Sequence, residues 1–126
     1  MTPVIFINCK KQPFIDQIIA GDKIFETRTR NTLGRMLGNR VLLAETGSGR
    51  PLVRCSAKVK EIIAVYTREA WSKYTFGACI QPGSEYDWKT GTKVKWLYWL
   101  TDVTPCDPFT PPEGRRHGRV WMEYND

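Results

Sequence analysis

The run from Lys93 to Val103 constrains the fold more than any other part of the chain. On an extended backbone Val94, Trp96, Tyr98 and Leu100 share one face, and Lys95, Leu97 and Trp99 share the other. Both faces are largely apolar, so the segment is predicted to be a central strand. Leu52 to Tyr66 forms a second long strand. There Val53, Cys55, Ala57 and Val59 alternate with Arg54, Ser56, Lys58 and Lys60, the pattern of a half-buried strand with a basic outer face.

Shorter elements surround these two. Pro3 to Asn8 is a compact apolar run suited to a buried strand, as is Arg40 to Thr46. Phe14, Ile15, Ile18 and Ile19 recur at helical spacing. With Pro13 in the first turn and Gly21 at the end, they predict a helix from about Lys11 to Ala20. Ile24 to Arg30 reads as a strand, and Arg119 to Tyr124 closes the chain as another. Asn31 to Asn39 is a loop, and Gly47 to Pro51 is a hairpin-like connection. Thr67 caps a short helix through Trp71 to about Tyr74. Thr75 to Thr92 is loop-like, and a loop this long in a compact domain is often functional. Thr104 to Gly118 carries four prolines and no periodicity.

About six strands and two helices without regular βα alternation argue against a doubly wound sheet. They favour a mainly β, α+β domain: a mixed, partly closed barrel flanked by helices. At 126 residues the chain is expected to be one domain, 1–126.

The net charge of +6 is localised: Arg28 to Lys60 carries +7 and the rest of the chain −1. A basic field with direction favours polyanions such as nucleic acid. The four cysteines, Cys9, Cys55, Cys79 and Cys106, are scattered without C-x-x-C spacing, and there is a single histidine, His117. No metal site and no cofactor follow from these. Gly47-Ser48-Gly49 lacks the lysine and the following helix of a phosphate-cradling loop. The apolar run Val4 to Ile7 is too short for a secretory signal, and no stretch reaches the ~20 apolar residues of a membrane span. The expectation is a cytoplasmic protein with reduced thiols and no membrane association.

The candidate site lies where the first helix ends. Lys23 sits on the turn after Gly21, and Glu26 and Arg28 share one face of the following strand with Arg30. Clustering three charged groups costs desolvation, which points to a polar pocket. This spacing, Gly21-x-Lys23-x-x-Glu26-x-Arg28 after an amphipathic helix, resembles the signature of the ASCH family, whose fold is PUA-like. The strand after Gly38 and the closing run of Trp99, Leu100 and Val103, then prolines, Gly114, Gly118 and Trp121, resemble that family too. The resemblance implies a small β-barrel with an RNA or modified-nucleoside ligand in a cleft beside the first helix. Some members deacetylate N-acetylated cytidine and others cleave RNA. In the amidohydrolase branch a threonine nucleophile follows the lysine by three residues; here that position is Glu26, and Thr27 is expected to face away from Lys23.

Lys23, Glu26, Arg28 and Arg30 are therefore the expected ligand-binding charges. Lysine and arginine hold a phosphate or polarise a carbonyl oxygen, and a glutamate accepts from the exocyclic amine of cytosine. In an enzyme Lys23 would be the central catalytic residue, with Glu26 as base or orienter. The same three groups also fit a structural ion-pair network at a barrel seam. Trp96, Trp99 and Trp121 are assigned to the core; Trp71 and Trp88, with Tyr74 and Tyr86 as weaker cases, are candidates for base stacking. Arg54, Lys58, Arg115 and Arg116 are expected to meet phosphates. A module that binds protein partners through exposed aromatics is the third alternative.

Overall fold

The computed structural model describes residues 1–125. The elements, in chain order, are β1 (Thr2–Asn8), α1 (Phe14–Ala20), β2 (Phe25–Arg28), β3 (Arg40–Thr46), β4 (Leu52–Val65), α2 (Arg68–Ser72), β5 (Lys95–Phe109), β6 (Arg115–His117) and β7 (Trp121–Tyr124). The seven strands make one open sheet in the order β2-β5-β4-β3-β1-β7-β6, with β1 and β3 parallel and every other pair antiparallel.

β5 is central, as its two apolar faces require: it pairs with β2 through Trp96–Trp99 and with β4 along most of its length. Three register shifts break the β4–β5 ladder. Such irregularities add local bend and twist, and Asp102 is held at a φ of 51° in this region. The sheet curls until α1 packs against β5, β1 and β3 together. Ile15 and Ile18 of α1 are buried there among Ile5, Ile7, Leu43, Val59 and Leu97. A second, smaller core of Val4, Phe6, Ala44, Val53 and Met122 lies under β7. β1 feeds both clusters because its side chains alternate.

Several boundaries differ from expectation. α1 begins at Phe14 with Pro13 as its N-cap, while Gly21 ends it as predicted, at a φ of 85°. β2 stops at Arg28, which leaves Arg30 in a bend. β5 runs six residues beyond the predicted end, through Pro105 and Pro108. Beyond Leu100, whose N–H still donates to the Ile24 carbonyl oxygen, it pairs among the described strands with β4 alone, so a residue without an N–H is tolerated there. The short β6 also lies in a region with no strand signal. Gly114 admits it, because a Cβ there would collide with the Glu123 carbonyl oxygen.

Candidate functional site

β2 and β1 lie four strands apart in the sheet order, and the curl brings their ends face to face. The gap between them is a seam bridged by a side chain rather than a ladder. Arg28 Nη2 donates to the Phe6 carbonyl oxygen at 2.8 Å and to Glu26 Oε2 at 3.1 Å. Glu26 Oε1 accepts the Thr27 N–H at 2.9 Å. Glu26 and Arg28 thus share one side of β2, as alternation demands, and both remain partly accessible, at 9% and 21% of their side chains.

A pocket of about 150 Å³ opens at this seam, walled by Ile7 and Asn8 of β1, Phe14 of α1, residues 26–28 of β2, and Tyr86. Tyr86 meets Phe14 edge to face, 5.1 Å between centroids at 77°. Burial, reinforced by nearby Glu85, pushes its phenol above the ordinary tyrosine pKa. The loop carrying Tyr86 is fixed by Asp87, whose carboxylate accepts from Gly83 N at 2.8 Å, Trp71 Nε1 at 2.7 Å and Trp88 N at 2.7 Å. The backbone bond from Gly83, then the Trp71 indole, hold the Asp87 carboxyl below its usual range.

Lys23 is placed differently from expectation. It is buried, 1% exposed, and does not line the pocket. Its Nζ donates to the Ala78 carbonyl oxygen at 2.6 Å and sits 4.5 Å from the centre of the Phe14 ring. Burial lowers its pKa, opposed chiefly by the negative charge of Glu26. The turn brings all three charges to one region, but only Glu26 and Arg28 reach the open pocket.

The remaining candidates divide. Arg30 is exposed beyond the end of β2 and lines neither this pocket nor its neighbours. Trp71, expected to stack on a base, is buried at 1% with its indole N–H on Asp87, so no ring face is free for a base. Trp88 packs partly buried against the core, and Tyr74 lies edge-on to Phe25 at 5.4 Å. Trp121 is buried as assigned, whereas Trp96 and Trp99 are only partly covered. Arg54 is neutralised by Asp16 at 2.6 Å and Glu45 at 3.2 Å, which leaves it poorly placed for phosphate. Lys58 is exposed on β4 opposite Arg40. Arg116 lines a groove of about 420 Å³ beside the pocket, with Arg28, Arg119, Phe6 and Asn8, while Arg115 does not. His117 stacks on Trp121 at 3.8 Å, away from the cleft.

Sequence reasoning missed Asn8 and Arg119. Asn8 is brought there by the pairing of β1 with β3, and Arg119 by the turn between β6 and β7, a strand that pairs with β1; no local pattern announces either. Among the described residues no group of three or more His, Cys, Asp or Glu is placed to hold a metal ion. No helix among them is long and apolar enough to cross a membrane.

A mainly β sheet curled around one helix, with a second short helix and a polar pocket at its seam, defines a PUA-like α+β domain. No family model and no curated protein matches the chain. Among solved structures it is similar to the crystal structure of ASCH from Zymomonas mobilis, with a TM-score of 0.71 and 25% identity over 86% of this chain and 73% of that one. Two point-mutant forms of that Zymomonas mobilis protein match equally well, at 0.71 and 25% over 86% of this chain and 73% and 75% of theirs. The fold is that of an ASCH domain.

Proposed function

We propose that the seam pocket binds one base of an RNA or of a modified nucleoside. The observation that carries this reading is the Glu26–Arg28 pair, held at the mouth of a pocket with an aromatic wall. At about 150 Å³ the pocket is smaller than the ~300–1,000 Å³ typical of drug-sized ligand sites, and suits a single planar group. Each Glu26 oxygen keeps a lone pair to accept from an exocyclic amine such as that of cytosine. Tyr86 and Phe14 offer ring surface, and Arg28 fixes the carboxylate. A hollow of about 540 Å³ on the far side of α1, by Gln17, Asp22 and Phe76, is larger but has no cation in its lining.

The test is equilibrium binding of cytidine and of single-stranded RNA to the wild-type protein and to Glu26→Gln. A lost base contact of ~1–3 kcal/mol weakens binding roughly 5- to 150-fold. Failure of both probes to bind, or equal binding by the variant, overturns the reading.

A second reading is hydrolysis of N-acetylated cytidine or of RNA through Lys23. Its support is the lowered pKa of a buried amine, which favours the neutral, reactive form. The amine meets a ligand only by leaving the Ala78 carbonyl and the Phe14 ring. Product formation from N-acetylcytidine or labelled RNA, abolished in Lys23→Met, supports it; the absence of product from both refutes it.

A further inference from the structure

Three cavities share walls. The seam pocket and the neighbouring groove have Asn8 and Arg28 in common. That groove and a third hollow, of about 290 Å³, have Pro51 and Arg116 in common. Together they form one path, with Arg28 at the seam, Arg119 in the groove, Arg116 at the second junction and Arg50 at the far end.

Past the seam, where Glu26 pairs with Arg28, the chemistry of the path is one-sided. Among the described residues no carboxylate lines the groove, and Glu113 is the single acid lining the third hollow. Among the described residues Arg50, Arg116 and Arg119 have no carboxylate within ion-pair distance, whereas Arg54 on β4 has two. Arg116 is held over the Phe6 ring, 5.2 Å from its centre, a contact that orients a guanidinium without neutralising it. Gly47 and Gly49, at φ of 102° and 105°, form part of the groove wall. They leave it free of side chains where a backbone would pass. Unpaired like charges along one channel repel each other, and a polyanion relieves that repulsion.

We propose that this path is a binding track for the phosphodiester backbone of single-stranded RNA whose terminal or unstacked base occupies the seam pocket. The ligand is then an oligonucleotide rather than a free nucleoside, which fills the first chamber alone. The proposal rests on the reading of the seam pocket given above. A single strand fits because a pocket for one base admits only an unpaired one.

The experiment measures binding of cytidine, a two-nucleotide and an eight-nucleotide oligocytidylate to the full chain, each across a range of salt. For single strands the log–log salt slope grows by about 0.7 per phosphate neutralised, so one contact is worth roughly fivefold between 1 M and 0.1 M salt. The octamer is expected to bind more tightly than cytidine and with a steeper slope. Arg119→Ala and Arg116→Ala each flatten the octamer slope by about 0.7 and leave cytidine binding unchanged. Arg50→Ala affects the octamer but not the dinucleotide. The lysine variants at the three positions retain the slope, and Lys73→Ala, off the path, changes nothing. All these side chains are exposed, so the variants are expected to fold, as a thermal melt verifies. An octamer that binds no better than cytidine, or arginine variants indistinguishable from wild type, overturns the track and leaves the pocket standing. Octamer binding that depends on the arginines while cytidine fails to compete leaves the track and removes the pocket. If no probe binds, both fall.

Discussion

One guanidinium nitrogen of Arg28 lies 2.8 Å from the Phe6 carbonyl oxygen of β1, on the far side of the seam from its own strand. The same nitrogen meets Glu26 at 3.1 Å, so the charge that faces the seam pocket also ties the curled sheet together. A lysine cannot reproduce this, because a guanidinium presents its donors in a fixed planar fork and an ammonium is a point charge on a flexible stem. Arg28→Lys is expected to lose about 1–2 kcal/mol, the scale of a charge-assisted hydrogen bond discounted for partial exposure. Differential scanning calorimetry should then show a melting point lower by roughly 3–8 °C. A melt identical to the wild type would mean that the bridge carries no weight in the fold.

Lys23 makes stability depend on pH in a definite direction. Burial lowers its pKa below the ordinary 10.5. Between the lowered value and 10.5 the unfolded chain binds more protons than the folded one, so this contribution rises with pH across that window. Lys23→Met fills similar space but cannot titrate. Removing the amine also strips the Ala78 carbonyl of its donor, a loss of about 1–3 kcal/mol with no dependence on pH. The readout is therefore the slope: urea unfolding of both proteins from neutral to alkaline pH should show the wild type gaining on the variant. Parallel curves would refute the buried, proton-poor amine.

The parts of this arrangement that are local in the chain were legible in it. Gly21 ends α1 in the left-handed region, Thr67 caps α2 through a 3.1 Å bond from Ala70 N, and period-two alternation puts Glu26 and Arg28 on one side of β2. The centrality of β5 followed from its two apolar faces. Depth could not be read the same way. Lys23 and Trp71 belong to polar or short segments, and both are nearly inaccessible because the loop of residues 73–94 folds back and supplies Ala78 and Asp87 as their partners. Pro105 and Pro108 suggested a loop, since the free side of β5 that tolerates them is a property of the sheet and not of the sequence. The excess positive charge from Arg28 to Lys60 likewise reads as one face, yet it is divided. Arg28 and Arg50 lie on the cleft path, Arg54 is ion-paired, and Arg35 and Arg40 line a separate hollow beside Trp121.

Cys55 supplies a second alkaline dependence, of opposite sign. Its thiol is fully buried on β4, between Leu43 of β3 and Pro105 of β5, and burial pushes its pKa from 9.0 up to about 11. The unfolded thiol ionises first, so the stability conferred by keeping it neutral is present below pH 9.0 and is lost as pH rises toward 11. At 1.36 kcal/mol per pKa unit the loss amounts to about 2–3 kcal/mol. Cys55→Ala removes the thiol and leaves a small void of about 1 kcal/mol at neutral pH. Chemical denaturation under reducing conditions should show the wild type ahead at neutral pH and overtaken by the variant near pH 11. A constant difference would show that the thiol ionises in the folded protein as readily as in the unfolded chain.

Gly47 lines the groove against Asn8, which the groove shares with the pocket, and its replacement tests whether that junction is built to a tight tolerance. A Cβ added there would stand 2.6 Å from Asn8 Oδ1 and 3.0 Å from Lys10 Cβ, in a backbone held at a φ of 102°. Asn8 Oδ1 also accepts the Lys10 N–H at 2.9 Å, so the asparagine cannot step aside without giving up that bond. Gly47→Ala should therefore destabilise by about 1–3 kcal/mol through backbone strain and crowding. It should also displace Asn8, which lines both chambers. Gly49→Ala is the matched control: its φ is 105°, but no atom lies within 4 Å of the added Cβ. It should share the backbone strain and keep the geometry of the junction. Binding of the eight-nucleotide strand at a temperature where both variants are folded separates the two effects. Gly47→Ala is expected to bind several-fold more weakly and Gly49→Ala close to wild type; equal affinities would show that the Asn8 corner does not shape the path.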